Sequence, residues 1–257
     1  ADAFGHEMYQ TLKNAGVDVS HVRISEKSSS GVGHIQLEVK ETGVQNRILV
    51  VPGSNYDLMP EDLEWLKEKI REYDLLMLQL TTAARIAHEA GVPVMLNPAP
   101  AAALSDELLS CLTYVSPNEH EAALLSGLSL KADEHGVDQK DLAAVVQNLC
   151  SRGIKKLMIT LGSNGAVLCD ERDWIQIPCV HMTEVKDPTA AGDSFVGAFC
   201  TGIAGGLSEK EALQMAAYTA AITVSGMGAM PSLPTLDRVC ELMKERGAQE
   251  LAEKVMN

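Results

Sequence analysis

Aromatic side chains are scarce: Phe, Trp and Tyr make up 4% of the 257 residues. A surface that stacks the bases of single-stranded nucleic acid needs such rings, so that role is disfavoured. Positive charge is also short. Lys and Arg number 21 against 35 Asp and Glu, a net charge of −14. Non-specific attraction to nucleic acid or anionic lipid has no source here, although a helix terminus can still hold an anion locally. No apolar run reaches the ~20 residues of a membrane span, and the first residues do not read as a basic-then-apolar leader. The six cysteines, at 111, 150, 169, 179, 200 and 240, form no C-x-x-C pair and no zinc spacing with histidine. They read as free thiols of a reducing cytoplasm. His120 and His181 read as surface or core residues. No G-x-x-x-x-G-K-[ST] occurs, which excludes a P-loop. Gly31-Val32-Gly33 lacks the third glycine of a dinucleotide fingerprint and runs into an alternating strand, not a helix.

What is present is alternation of helix and strand. Asp2 can cap a helix with Phe4, Met8 and Leu12 on one face, ending at Gly16. Ile35, Leu37 and Val39 alternate with Gln36, Glu38 and Lys40, a strand with one wet face. A turn at Thr42-Gly43 returns the chain as a second strand over 47–51. These two strands read as a small sheet standing off the main domain. After Pro60 the pattern predicts a helix over 61–73, a strand over 75–80, a helix over 83–90 and a strand over 92–96. A helix after Ser105, a strand over 114–116, a helix over 138–152 and a strand over 156–161 follow. The strands are short, apolar and flanked by helices, as in a parallel sheet covered on both faces. A hairpin-like pair, 166–169 and 174–177, precedes helices near 192–205, 208–225 and 235–246 and an Ala/Glu/Lys-rich tail.

The most informative segment is Asp187-Pro188-Thr189-Ala190-Ala191-Gly192-Asp193-Ser194-Phe195. Small residues sit where a helix begins, and the unpaired N–H groups there can hold a developing phosphoryl charge without lysine. Asp193, in that first turn, could accept the proton of an attacking hydroxyl; taken alone, it also reads as a helix cap. Asn118 and Glu121 stand in N-x-x-E spacing after a strand, where Glu121 alone also reads as an N-terminal helix acid. Thr160-Leu161-Gly162-Ser163-Asn164-Gly165 turns through two glycines. From Ala221 to Pro234, a run of Gly, Ser and small residues can expose carbonyl oxygens to a hard cation, or simply pack over a base.

Together these segments resemble the ribokinase-like (PfkB) sugar kinases. Their D-T-x-A-A-G-D-x-F signature is matched with one departure, Pro188 for Thr. Asn97-Pro98-Ala99-Pro100, Asn118-x-x-Glu121 and Thr160-Leu161-Gly162-x-x-Gly165 follow in the family's order. The resemblance implies a doubly wound α/β/α sandwich with a small β lid. In its terms, residues 1–21 start the main domain, 22–52 are the lid strands and 53–257 complete the nucleotide-binding and catalytic domain. It implies Asp193 as catalytic base and the amides of Ala190, Ala191 and Gly192 as an anion hole. Asn118 and Glu121 would serve phosphates and Mg²⁺; Thr160, Gly162, Ser163, Asn164 and Gly165, with Gly192, would hold ATP. Asp187, Thr189, Thr223, Gly226, Gly228 and Ser232 would ligate K⁺ or another monovalent cation. The implied reaction moves the γ-phosphoryl of ATP to the primary hydroxyl of D-ribose. The alternatives are another sugar or nucleoside kinase of the family, such as a fructokinase or 2-keto-3-deoxygluconate kinase, or a silent ligand-binding relative. A homodimer through the lid, with neither nucleic acid nor membrane as partner, completes the expectation.

Two departures stand out. The family's opening acidic strand residue and its G-G-x-x-x-N sugar loop have no counterpart, because Asp2-Ala3-Phe4-Gly5 already matches its D-x-F-G segment. Gln79-Leu80 resembles its L-Q-L-E, but Thr81 replaces the Glu and a helix follows at once. The expectation is that both missing segments belong to the full protein; the alternative is a truncated protein that cannot bind sugar.

Overall fold

The computed structural model describes residues 1–40, 43–78, 82–133, 136–170 and 172–256. The chain divides into two compact units, Ala1–Trp65 and Leu66–Asn257; the sequence pattern instead draws its boundaries at 21 and 52.

In the first unit, helix α1 (Ala3–Asn14) begins where expected, because the Asp2 carboxylate accepts the Gly5 N–H at 2.8 Å. Its expected apolar face is not buried: Phe4, Met8 and Leu12 are all exposed. Strands β1 (Val32–Lys40) and β2 (Gly43–Val51) pair antiparallel, with Ile35 opposite Ile48 and Val39 opposite Val44. Residues 41 and 42 lie outside the described residues, so Thr42 of the expected turn does too. Gly31 leads directly into β1, which confirms that it opens a strand.

In the second unit a six-stranded sheet carries the fold. Along the chain come α2 (Leu66–Lys69), β3 (Leu76–Leu78), α3 (Thr82–Ala90), β4 (Val94–Leu96), α4 (Asp106–Cys111), β5 (Tyr114–Val115) and α5 (Glu119–Ser126). A small hairpin, β6 (Ala132–Asp133) with β7 (Gly136–Val137), leads to α6 (Gln139–Ser151), β8 (Lys156–Thr160), β9 (Ala166–Cys169) and β10 (Trp174–Ile177). Helices α7 (Ala191–Ala204), α8 (Glu209–Ser225), α9 (Leu236–Glu245) and α10 (Gln249–Met256) follow. The sheet order is β10-β9-β8-β5-β4-β3. β3, β4, β5 and β8 are parallel, and the β9–β10 hairpin extends the sheet antiparallel. The architecture is a doubly wound α/β sandwich with a mixed sheet.

Alternation along each strand sorts the core into two layers. Met95, Tyr114, Met158 and Leu168 pack with Phe195 and Phe199 of α7 and Ala216 of α8 in one buried cluster. Residues between them, such as Leu96, Val115 and Ile159, are equally buried but point to the opposite face. Ser105, Asp138, Ser208 and Thr235, near which the sequence pattern starts four helices, prove to be their caps, each accepting a first-turn N–H. One expectation fails. The helix expected over 61–73 is instead a 3₁₀ turn, Pro60–Leu63, the single turn of α2 and a second 3₁₀ turn, Ile70–Glu72. Only Leu66 and Ile70 are buried there. So little packing cannot hold several turns whose intrinsic stability is marginal. The strand expected over 75–80 is seen as Leu76–Leu78; Gln79, Leu80 and Thr81, with the departure they carry, lie outside the described residues.

Candidate active site

The C-terminal ends of neighbouring parallel strands are where an open α/β sheet places its ligands. Here β4 ends into Asn97, β5 into Ser116-Pro117-Asn118, and β8 at Thr160. The Asn97 N–H donates to Leu78 O at 2.8 Å and the Ser116 N–H to Leu96 O at 2.8 Å. The Thr160 N–H donates to Pro117 O at 3.1 Å, and an isolated parallel bridge joins Asn118 to Thr160. These bonds carry the sheet one residue beyond its strands and fix the three ends side by side.

Helix α7 supplies the catalytic candidate. Its N-cap, Ala190, is left-handed at φ 62°, the one non-glycine residue with positive φ among those described. Such a conformation costs a non-glycine residue ~1–2 kcal/mol, and it is found where surrounding structure imposes it. The kink turns the following N–H groups outward as a nest. The Ala191 N–H turns back to Pro188 O at 3.3 Å, whereas Ala190, Gly192 and Asp193 find no backbone acceptor among the described residues. Gly192 is exposed, and a Cβ there would meet nothing within 4 Å, so the space over the nest is open. Asp193 is exposed in this first turn and lines a cavity of about 490 Å³ with Ser194, Gly197 and Thr201 of α7 and Thr219 of α8.

Asn118 and Glu121 form a reciprocal cap on α5. The Glu121 N–H donates to Asn118 Oδ1 and the Asn118 N–H to Glu121 Oε2, both at 2.9 Å. The two readings of this pair therefore coexist: it caps a helix and also presents a carboxylate at the strand ends. Burial pushes the Glu121 carboxyl up from its ordinary pKa, against the Asn118 N–H, and the negative charges of Glu119 and Asp193 add to the rise. Asp193 and Glu121 thus share one field. Among the described residues no group of three or more His, Cys, Asp or Glu could hold a metal alone. One or two carboxylates, with phosphates and water completing the shell, is the donor set Mg²⁺ accepts.

Between β8 and β9 the chain makes a 3₁₀ turn, Gly162–Asn164. Gly162 and Gly165 have φ of 53° and 86°. A Cβ on Gly165 would lie 2.0 Å from Ile177 O, so only glycine fits. Thr160, Ser163 and Asn164 are brought to the same strand end.

The six residues expected around a monovalent cation also converge. The buried Asp187 carboxylate accepts the Thr189 N–H at 2.9 Å and the Gly228 N–H at 3.0 Å. The N–H groups of Lys186 and Asp187 donate to Val224 O, and the Gly226 N–H donates to Thr223 O. A Cβ on Gly226 would come within 2.8 Å of the Ser232 Cβ, so these two strands of the loop touch. Burial opposes ionisation of Asp187, but hydrogen bonds from the Thr189 hydroxyl and N–H and the Gly228 N–H outweigh it and hold the carboxyl below its usual range. Among the described residues no cationic side chain pairs with it. The Asp187 carboxylate is therefore a buried negative charge met by N–H and O–H donors, without a basic side chain beside it among the described residues.

The sequence pattern assigns Asn97 no role in the site. Asn97 Nδ2 lies 3.5 Å from Asp193 Oδ1 across 96 positions of sequence. Asn-Pro-Ala-Pro after a strand was the available signal, but sequence alone does not show which helix it faces.

Comparison with known proteins agrees with this geometry. The description "pfkB family carbohydrate kinase" matches residues 1–236. A ribokinase of Schizosaccharomyces pombe is 39% identical over 91% of this chain and 74% of its own length. A ribokinase of Haemophilus influenzae is 32% identical over 95% of this chain and 79% of its own. The structure of Arabidopsis thaliana ribokinase complexed with ribose and ATP superposes with a TM-score of 0.82 at 29% identity, covering 95% of this chain and 79% of that one. Fold, strand-end site and family pattern coincide: the chain belongs to the pfkB family of carbohydrate kinases.

Proposed function

We propose that this protein transfers the γ-phosphoryl group of ATP to the primary hydroxyl of D-ribose, giving ribose 5-phosphate and ADP. The observation that carries the reading is Asp193, an exposed carboxylate in the first turn of α7 beside the N–H groups of Ala190 and Gly192, which find no backbone acceptor among the described residues. Asp193 takes the proton of the attacking hydroxyl, and the N–H groups of Gly192 and its neighbours Ala190 and Ala191 receive the negative charge that develops on the phosphoryl oxygens. The Ala191 N–H leaves Pro188 O to join them. Asn118 and Glu121 would hold Mg²⁺, which neutralises phosphate charge when bound. Thr160 and the turn over Gly162, Ser163, Asn164 and Gly165 bind the nucleotide. Asp187, Thr189, Thr223, Gly226, Gly228 and Ser232 would hold a monovalent cation, which adds positive potential behind the nest.

Ribose as acceptor rests on the ribokinase relatives and on Asn97-Pro98-Ala99-Pro100. The exposed apolar face of β1–β2, with Ile35, Val39, Ile48 and Val50, supports a homodimer through this sheet. A sugar panel with ATP tests the acceptor. D-ribose should give the highest kcat/KM among ribose, fructose, 2-keto-3-deoxygluconate and adenosine; preference for another would move the protein elsewhere in the family.

A further inference from the structure

At the end of β5 the Ser116 side chain is buried, 3% exposed, and its Oγ has no hydrogen-bond partner among the described residues. A buried hydroxyl left without a partner costs ~1–3 kcal/mol, and native folds seldom keep one without a use. Its place in the sheet suggests that use. Leu96 and Val115 are register partners on β4 and β5, so Asn97 and Ser116 are lateral neighbours one step further on. Met95 and Tyr114, two residues earlier on each strand, both face the α7 layer. By alternation Asn97 and Ser116 face it too. The Asn97 contact with Asp193 of α7 bears this out for β4.

Building on the reading of Asp193 as the base, we infer that Ser116 is a positioning residue that acts through Asn97. Its hydroxyl donates to Asn97 Oδ1. That fixes the amide with Nδ2 towards Asp193 and holds the carboxylate in line with the incoming sugar hydroxyl. In the structure both links are slack: the Ser116 hydroxyl has no acceptor among the described residues, and the Asn97–Asp193 separation of 3.5 Å is at the long limit of a hydrogen bond. Catalytic hydrogen bonds commonly tighten only in the substrate complex. An amide has two faces, and with no donor on its oxygen it can flip and present that oxygen to the carboxylate, which repels it.

The test is a double-mutant cycle of Ser116→Ala and Asn97→Ala in the full chain, with steady-state kinetics on D-ribose and ATP and thermal melting of each variant. Ser116→Ala should lower kcat about tenfold, the loss of one positioning hydrogen bond, with KM for ATP unchanged and melting equal to or above wild type. In the Asn97→Ala background it should have no further effect on kcat. Three results would overturn the assignment: wild-type kcat in Ser116→Ala, a fall in kcat that tracks a fall in melting temperature, or effects of the two substitutions that add. Asp193→Asn run alongside separates the two levels. If it is inactive while Ser116→Ala is normal, only the role of Ser116 fails; if it turns over normally, the reading of Asp193 fails first.

Discussion

Replacing Asp187 by Ala removes the acceptor for two N–H groups, those of Thr189 and Gly228, in a place that water does not reach freely. Each donor left unpaired costs ~1–2 kcal/mol, so the substitution should destabilise by about 3 kcal/mol. For a domain of this size that is a fall of about 6–12 °C in Tm. Asp187→Asn should fall between, since one amide oxygen can serve only one of the two donors while its NH₂ meets the other. The pH dependence has a definite sign. Asp187 has a folded-state pKa held below its unfolded value, so its contribution is fully present above the ordinary carboxylate range near 4 and is lost as pH falls through the depressed pKa. The gap between wild type and Asp187→Ala should therefore be constant from neutral pH down to that range and close below it. Calorimetry in KCl, repeated in tetramethylammonium chloride at equal ionic strength, divides the effect. The hydrogen-bond part persists in both salts; any part due to a bound cation appears only in KCl. Melting of Asp187→Ala within about 2 °C of wild type at neutral pH in KCl would refute the clamp.

Two further outcomes follow from the same geometry. Gly165→Ala should fail to give a stable fold or melt far below wild type, because its Cβ would sit 2.0 Å from Ile177 O, whereas Gly162→Ala, with φ of 53° and open space, should cost only ~1 kcal/mol of backbone strain; similar melting of the two variants would contradict this contrast. At saturating ATP and sugar, K⁺ should activate turnover above Na⁺ and above tetramethylammonium, and equal rates in the three salts would remove the cation site.

Much of this architecture is legible in the sequence because local chemistry and fold agree. The capping residues Ser105, Asp138, Ser208 and Thr235 each hold the N–H they are suited to hold, and the apolar runs of β4, β5 and β8 are buried strands between helices. The motif residues Asp193, Asn118, Glu121 and Thr160 lie at element ends, so finding the ends finds the residues. What the sequence does not show depends on tertiary context. The segment 61–73 has a helical pattern, but too few of its side chains are buried to hold a helix. Phe4, Met8 and Leu12 form an amphipathic stripe, yet periodicity cannot say what covers it. Ala190 adopts a conformation that propensity assigns to glycine or asparagine, because the Asp187–Thr189 turn on one side and α7 on the other impose it. The contact between Asn97 and Asp193 joins two distant positions, and only the placement of α7 beside the end of β4 reveals it.

The central claim is that Asp193 is the base, and Asp193→Asn tests it most directly. The side chain is exposed, so the substitution should leave melting close to wild type and KM for ATP little changed. Turnover on D-ribose at saturating ATP should fall on the order of 10²-fold or more, the scale of a positioned proton acceptor. A folded Asp193→Asn enzyme with near wild-type kcat would contradict the account.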